Sequence, residues 1–200
     1  MIIDPFRFVI PVVNAGWNPD DKSAHVTLSG SNRTMESDGT LGSVRAITSR
    51  AAGVLYFEVT TDSSYNSGET SNIIVGICDD AMSLTVNPQW GAPSGKYVGA
   101  MGNSFYCNDA TGSLGTHAGS GWAPTNGVHT AGFVITFATR TVEFFDNGTS
   151  RFSTTWSAGP SEMFPFATGT NGGGLSRLVL RTMASEFLQS IPVGATAWDS

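Results

Sequence analysis

Charge is scarce in this 200-residue chain. Only 13% of residues are Asp, Glu, Lys or Arg, and lysine occurs just twice, as Lys22 and Lys96. The net charge is −6, with no basic run and no interleaving of aromatic and basic residues. Nucleic-acid affinity comes largely from phosphate neutralisation by Lys and Arg, so no nucleic-acid partner is expected. Long apolar runs are missing as well. No stretch approaches the ~20 apolar residues of a membrane span, so no membrane insertion is expected. The apolar start, MIIDPFRFVIPVV, is broken by Asp4, Pro5, Arg7 and Pro11 and lacks a basic lead. It reads as a strand over Phe6–Val13, with residues 1–16 an edge or docking element, rather than as a signal peptide. Cysteine is limited to Cys78 and Cys107. Without an export signal a reduced compartment is the default, and both are expected as free thiols.

What is present points to strands. Ser and Thr together number 45 and Gly 24, while 40% of residues are hydrophobic and 10% aromatic. That is enough apolar mass for a core, but the Glu, Lys, Leu and Ala that line helix faces are lacking. The fold class is therefore all-β with little or no helix, and 200 residues suit a single domain, 1–200.

The stretch Gly53–Asp80 carries the strongest signal. In Val54–Thr60, Leu55, Phe57 and Val59 share one face, because strand side chains alternate. Asn72–Cys78 is apolar on both faces apart from Gly76, as in a central strand. These runs predict Leu55, Phe57, Val59, Ile73, Val75 and Ile77 as core. Before them, strands are expected at His25–Leu28, Thr34–Glu36 and Gly42–Thr48, with Trp17-Asn-Pro-Asp-Asp as a turn cluster. After them come Tyr97–Met101, Phe105–Asn108, Thr130–Phe137, Thr141–Phe145, Arg151–Thr155, Phe164–Thr168 and Leu175–Thr182. Asp146-Asn147-Gly148 makes a tight turn, since Asn-Gly tolerates positive φ. Trp17, Trp156 and Trp198 are expected to plug the core or its edges.

Taken in order, these residues resemble the SPRY (B30.2-like) domain. Tyr56-Phe57-Glu58-Val59 and Val75-Gly76-Ile77 match its early strands, and Tyr97-Val98-Gly99 its Tyr-x-Gly step. Val142-Glu-Phe-Phe-Asp-Asn147-Gly148 matches its late hairpin, and Phe164-Pro165 its aromatic-Pro. The resemblance spans 53–182. Two steps depart from it: Gly127-Val-His-Thr-Ala131 lacks the family's acidic residue, and Leu180-Arg181-Thr182 replaces its closing Asn-Phe-Gly. The resemblance implies a two-layer antiparallel β-sandwich of the concanavalin-like, SPRY-like type. The segment Trp17-Asn-Pro-Asp-Asp-Lys-Ser-Ala-His-Val-Thr-Leu-Ser and the terminal Ile-Pro-Val-Gly-Ala-Thr-Ala-Trp-Asp are similar to SPRY-like proteins encoded by tailed bacteriophages and prophages. That likeness implies a virion protein, tail-fibre or receptor-contacting, or else a capsid or tail decoration protein. It implies other virion proteins or a host surface glycan or protein as partners, and a multi-copy or homo-oligomeric assembly.

Catalysis has little support in the sequence. Glycosidases need two carboxylates across the scissile bond, and no strand carries acids at i, i+2 and i+4. Glu36-Ser-Asp38 is the nearest approach, in a turn. His25, His117 and His129 and the two cysteines lack zinc spacing, and His129 reads as structural at a strand entry. No nucleophile-elbow signature occurs. Asp79-Asp80 reads as a loop cap sooner than as the start of a Ca²⁺ site. No catalytic residue, metal or cofactor is expected, and a carbohydrate-active enzyme on a lectin-like sandwich is the rival reading. Ala81–Trp122 is long, irregular and glycine-rich, and such loops are uncommon in compact domains unless functional. Tyr65, Trp90, Phe105, Tyr106 and Trp122, set among Gly, Ser and Asn, are the candidate ligand-binding residues. Rings give contact area at low entropic cost and stack on sugars. Tyr97 instead belongs to the strand pattern.

Overall fold

The computed structural model describes residues 15–62, 73–85, 95–101, 104–109, 114–118, 128–156, 162–169 and 176–200, with backbone alone for 62, 101, 104–109 and 114–118. Fifteen strands occur among them: β1 (Trp17–Lys22), β2 (Val26–Ser29), β3 (Thr34–Ser37), β4 (Gly42–Ala46), β5 (Val54–Asp62), β6 (Ile74–Cys78), β7 (Lys96–Met101) and β8 (Ser104–Asp109), then β9 (Leu114–Ala118), β10 (Val128–Thr136), β11 (Thr141–Asp146), β12 (Thr149–Thr155), β13 (Phe164–Gly169), β14 (Ser176–Arg181) and β15 (Thr196–Ala197). One 3-10 turn, Ala184–Glu186, is the sole described helical element. One sheet runs β1-β4-β13-β6-β7-β8-β9, the other β12-β11-β10-β5-β14-β3-β2, with β15 added to β5. The expected two-layer antiparallel sandwich is what forms.

Two expectations fail in detail. Trp17-Asn-Pro-Asp-Asp-Lys is the edge strand β1, not a turn; its register to β4 is irregular, and an edge tolerates Pro19, whose missing N–H then breaks no ladder. Leu114–Ala118 is a strand that LGTHA, poor in β-branched residues, did not signal. Phe6–Val13 lies outside the described residues.

The core lies between the sheets as alternation requires. Leu55, Phe57, Val59, Ile73, Val75 and Ile77 are all buried, as are Trp17, Trp156 and Trp198. Phe57 stacks on Phe133 at 5.1 Å and meets Trp198 edge-on at 5.5 Å. β6 is buried on both faces. Its outer face carries a second cluster of Ile74, Cys78, Met82, Tyr97 and Phe166, and Met82 comes from the segment that follows the strand. Gly76 is required there: a Cβ would sit 2.0 Å from the Val98 carbonyl oxygen.

The two cysteines are kept apart. Cys78 pairs with Tyr97 and Cys107 with Val98, so β7 stands between them. Two strand spacings, about 9.6 Å, exceed what a disulfide bridges. Cys78 is a free, buried thiol, and burial pushes its pKa up, so it is no nucleophile.

Candidate functional site

Strand directions sort the connections onto two ends of the sandwich. β5 finishes at Asp62, whose register partner is Val128, the first residue of β10. Connections 63–72 and 119–127 therefore leave and arrive at neighbouring backbone positions. The β13–β14 connection joins the same end, where Gly169 packs so closely on Ser37 that a Cβ would lie 2.6 Å from the serine Cβ. Ser176 N–H there donates to Ser37 Oγ at 3.2 Å. At this end Val128 is 58% exposed, a large apolar side chain facing solvent beside the two connections.

The β11–β12 turn closes that end and is tightly tied. Asn147 and Gly148 take φ of 48° and 76°, the positive values a two-residue hairpin turn needs. Asn147 N–H donates to Thr130 O at 2.9 Å, and Asn147 Oδ1 accepts Thr130 N–H at 2.9 Å. His129 Nδ1 lies 3.2 Å from Asp146 Oδ1, and Arg151 lies 3.5 Å from Asp146 Oδ2. Asp146 is buried, with a cation or imidazole on each oxygen. The cluster fixes the first residues of β10, the scaffold role expected of His129.

Other buried charges are likewise tied into the scaffold. Glu58, on the outer face of β5, accepts Tyr56 O–H at 3.0 Å and the N–H groups of Leu188 and Gln189 at 2.8 and 3.0 Å. Phe187 lies edge-on to Tyr56 at 5.0 Å, so the segment after β14 is strapped across that face. Burial pushes the Arg181 guanidinium, opposite Glu58, below its usual range. Asp199 pairs with Arg50 at 3.2 Å. Arg45 takes Asp21 two-fold, at 2.6 and 2.9 Å, and donates to the carbonyls of Asp79 and Met82 at 3.1 and 2.8 Å. Burial raises the Asp79 carboxyl, while backbone amides of Lys96, Met82 and Ala81 oppose that rise. Amide N–H groups near a carboxylate suit a loop cap, and Asp79 Oδ1 is buried without a hydrogen-bond partner. Among the described residues no three His, Cys, Asp or Glu side chains form a group able to hold a metal. Sequence reading did not single out Glu58 or Arg45. The signal available was a lone charge inside an otherwise buried strand; the partners are remote in the chain.

Of the candidate ligand-binding residues, Tyr65, Trp90 and Trp122 lie outside the described residues. Phe105 and Tyr106 stand on β8, where Phe105 is the register partner of Ala100 and Tyr106 of Gly99. The connections themselves divide. Those carrying Tyr65 and Trp122 are anchored at Asp62 and Val128. The one carrying Trp90 starts at Thr85, next to Leu84, whose carbonyl accepts the Ser43 N–H at the level of Ile74, and ends at Gly95, past the far end of β6.

No protein-family model matches the chain, and no curated protein matches it. Solved structures do. The SPRY domain of human HERC1 aligns with a TM-score of 0.64 at 12% identity, over 82% of this chain and 96% of that one. The PSpry domain of TRIM65 aligns with a TM-score of 0.59 at 16% identity, over 84% and 92%. A human SPRY domain gives 0.54 at 23% identity, over 79% and 96%. At such identities the likeness establishes the fold.

Proposed function

We propose that this SPRY-like sandwich is a non-enzymatic recognition module whose end bearing connections 63–72 and 119–127 binds a protein or a glycan. The observation that carries the reading is the register pair Asp62–Val128, which brings the origins of the Tyr65 and Trp122 connections side by side on a rigid sheet. Binding residues carried on connections of a rigid scaffold are how recognition sites are usually built. The fold supports the same reading, since SPRY domains are usually interaction modules without catalysis. The described buried carboxylates Glu58, Asp146 and Asp199 also favour it, because each serves a structural contact and none is paired with a second carboxylate as glycoside hydrolysis requires.

The setting follows from the sequence likeness to phage-encoded proteins: a multi-copy virion component, with the binding end directed at a host surface or at a neighbouring virion protein. Many copies would multiply a weak single-site affinity. Mass spectrometry of head and tail fractions from purified virions, combined with cell-binding assays, tests this. Tail location with cell binding lowered at least tenfold by Tyr65→Ala or Trp122→Ala, at unchanged melting temperature, supports receptor contact. Head location without cell binding replaces it with a decoration role. Absence from virions removes the phage setting. Glycan cleavage abolished by a single carboxylate substitution overturns the non-enzyme reading.

A further inference from the structure

Three sheet edges have described side chains, and they are treated differently. β1 carries Pro19, Asp20, Asp21 and Lys22, the residues that guard an edge against pairing. β2 is four residues long, with its Val26 carbonyl taken by Lys22 Nζ at 2.7 Å and its Val26 N–H by Ser23 O at 3.2 Å. β12 is seven residues, TSRFSTT, without proline, lysine or acid. Among the described residues nothing pairs with its outer side.

Its backbone polarity follows from one bond. Trp156 N–H donates to Arg140 O at 3.0 Å, so Thr154 also faces β11, while Ser153 and Thr155 turn their N–H and C=O groups outward. The register shift beside Phe144 and Phe145 puts a bulge near Arg151 and leaves Phe152–Thr155 as the regular part. Ser153 and Thr155 are exposed, and Phe152 is only partly buried against the core. A strand added here finds backbone partners and apolar surface together.

We propose that this edge receives the segment Phe6–Ile10 of a second copy of the chain as an added strand, joining copies head to tail. The sequence Phe-Arg-Phe-Val-Ile alternates, with Phe6, Phe8 and Ile10 on one face and Arg7 and Val9 on the other. The first face continues the core beyond Phe152. Pro11 has no N–H to give and ends the pairing. The segment's own β12 is out of reach. It enters the fold at Ala15, beside β1, and β12 lies six strand positions from β2, which packs near β1. That separation is about 29 Å at ~4.8 Å per strand, whereas five residues span at most ~18 Å. The donor must be another molecule. Because donor and acceptor occupy opposite edges, the contact is heterologous and builds a ring or an open chain. This inference stands apart from the binding end proposed above.

Sedimentation equilibrium over a dilution series of the full chain tests it. The expected mass is at least twice the 21.0 kDa of one copy, falling to one copy in Phe8→Asp and in Ser153→Pro. Ser153→Pro removes an outward N–H and no bond to β11, and Thr155→Pro is the second edge variant should the φ constraint make the first melt early. An equimolar mixture of Phe8→Asp with Ser153→Pro is expected to form a two-copy complex and nothing larger, since one retains the acceptor and the other the donor. A single-copy wild type, an unchanged mass in either variant, or no complex in the mixture overturns the proposal. Loss in Ser153→Pro alone, with Phe8→Asp still assembled, means that the edge takes a different strand and overturns the donor assignment.

Discussion

Single residues in this fold matter through the polar atoms they would strand. Glu58 is fully buried and holds three donors, the Tyr56 hydroxyl and two successive amides from the segment after β14. Glu58→Ala leaves all three unpaired in a dry setting, so a loss of about 3 kcal/mol in urea unfolding is expected, with Glu58→Gln milder because its carbonyl still accepts. Tyr56 supplies a pH signature. Burial first, and the Glu58 charge second, push its phenol well above the ordinary tyrosine range. The folded state thus keeps a proton that the unfolded chain releases above its pKa of ~10. Stability from this group is complete below that pH and falls as pH rises beyond it, by about 1.4 kcal/mol per pH unit. Tyr56→Phe should flatten that part of the stability curve by one proton's slope, measured by denaturant titration from pH 9 to 11.

Elements show where sequence reading succeeds. β5 and β6 were legible because their apolar residues alternate or run unbroken, and the Asn147-Gly148 turn because its φ values demand those residues. β1 was misread since Asn18, Pro19 and Asp20 are local turn formers, and only the partner β4 makes them a strand. The same limit hid the Arg45–Asp21 pair, whose members are 24 residues apart, and the Glu58 strap, which spans 130. Binding loops resist reading for a further reason: recognition imposes no periodicity on them. Glycine sharpens the point at β6. Gly76→Ala pushes a Cβ to 2.0 Å from Val98 O across the β6–β7 ladder and should abolish soluble folded protein. Gly194→Ala, at φ +88° with open space around it, should cost only about 1 kcal/mol, from backbone strain alone. Comparable losses for the two would remove the close-approach argument. β15 closes the list of elements. It pairs with β5 at Leu55 and Tyr56, just beyond the stretch that β14 occupies, and delivers Trp198 against Phe57. Trp198→Ala should cost about 3–5 kcal/mol in denaturant unfolding.

At the scale of the whole molecule, topology makes a claim that composition could not. The sequence groups Tyr65, Trp90 and Trp122 as one set of loop aromatics, but strand register ties only the connections of Tyr65 and Trp122 together. Connections 63–72 and 119–127 spring from register partners, while the connection carrying Trp90 runs from beside Leu84, level with the start of β6, to Gly95 past its other end. On the proposed reading one ligand engages connections 63–72 and 119–127 together, so the Tyr65 and Trp122 truncations should not add. Residues that share a partner couple, whereas separated ones behave independently. In a binding assay on host cells or purified receptor, the Tyr65→Ala, Trp122→Ala cycle should show a coupling on the order of 1 kcal/mol, and both cycles with Trp90→Ala should close to within about 0.5 kcal/mol. If Trp90 couples to Trp122 as strongly as Tyr65 does, a single ligand also reaches the connection that carries Trp90. The recognition surface then extends past the sandwich tip onto that connection.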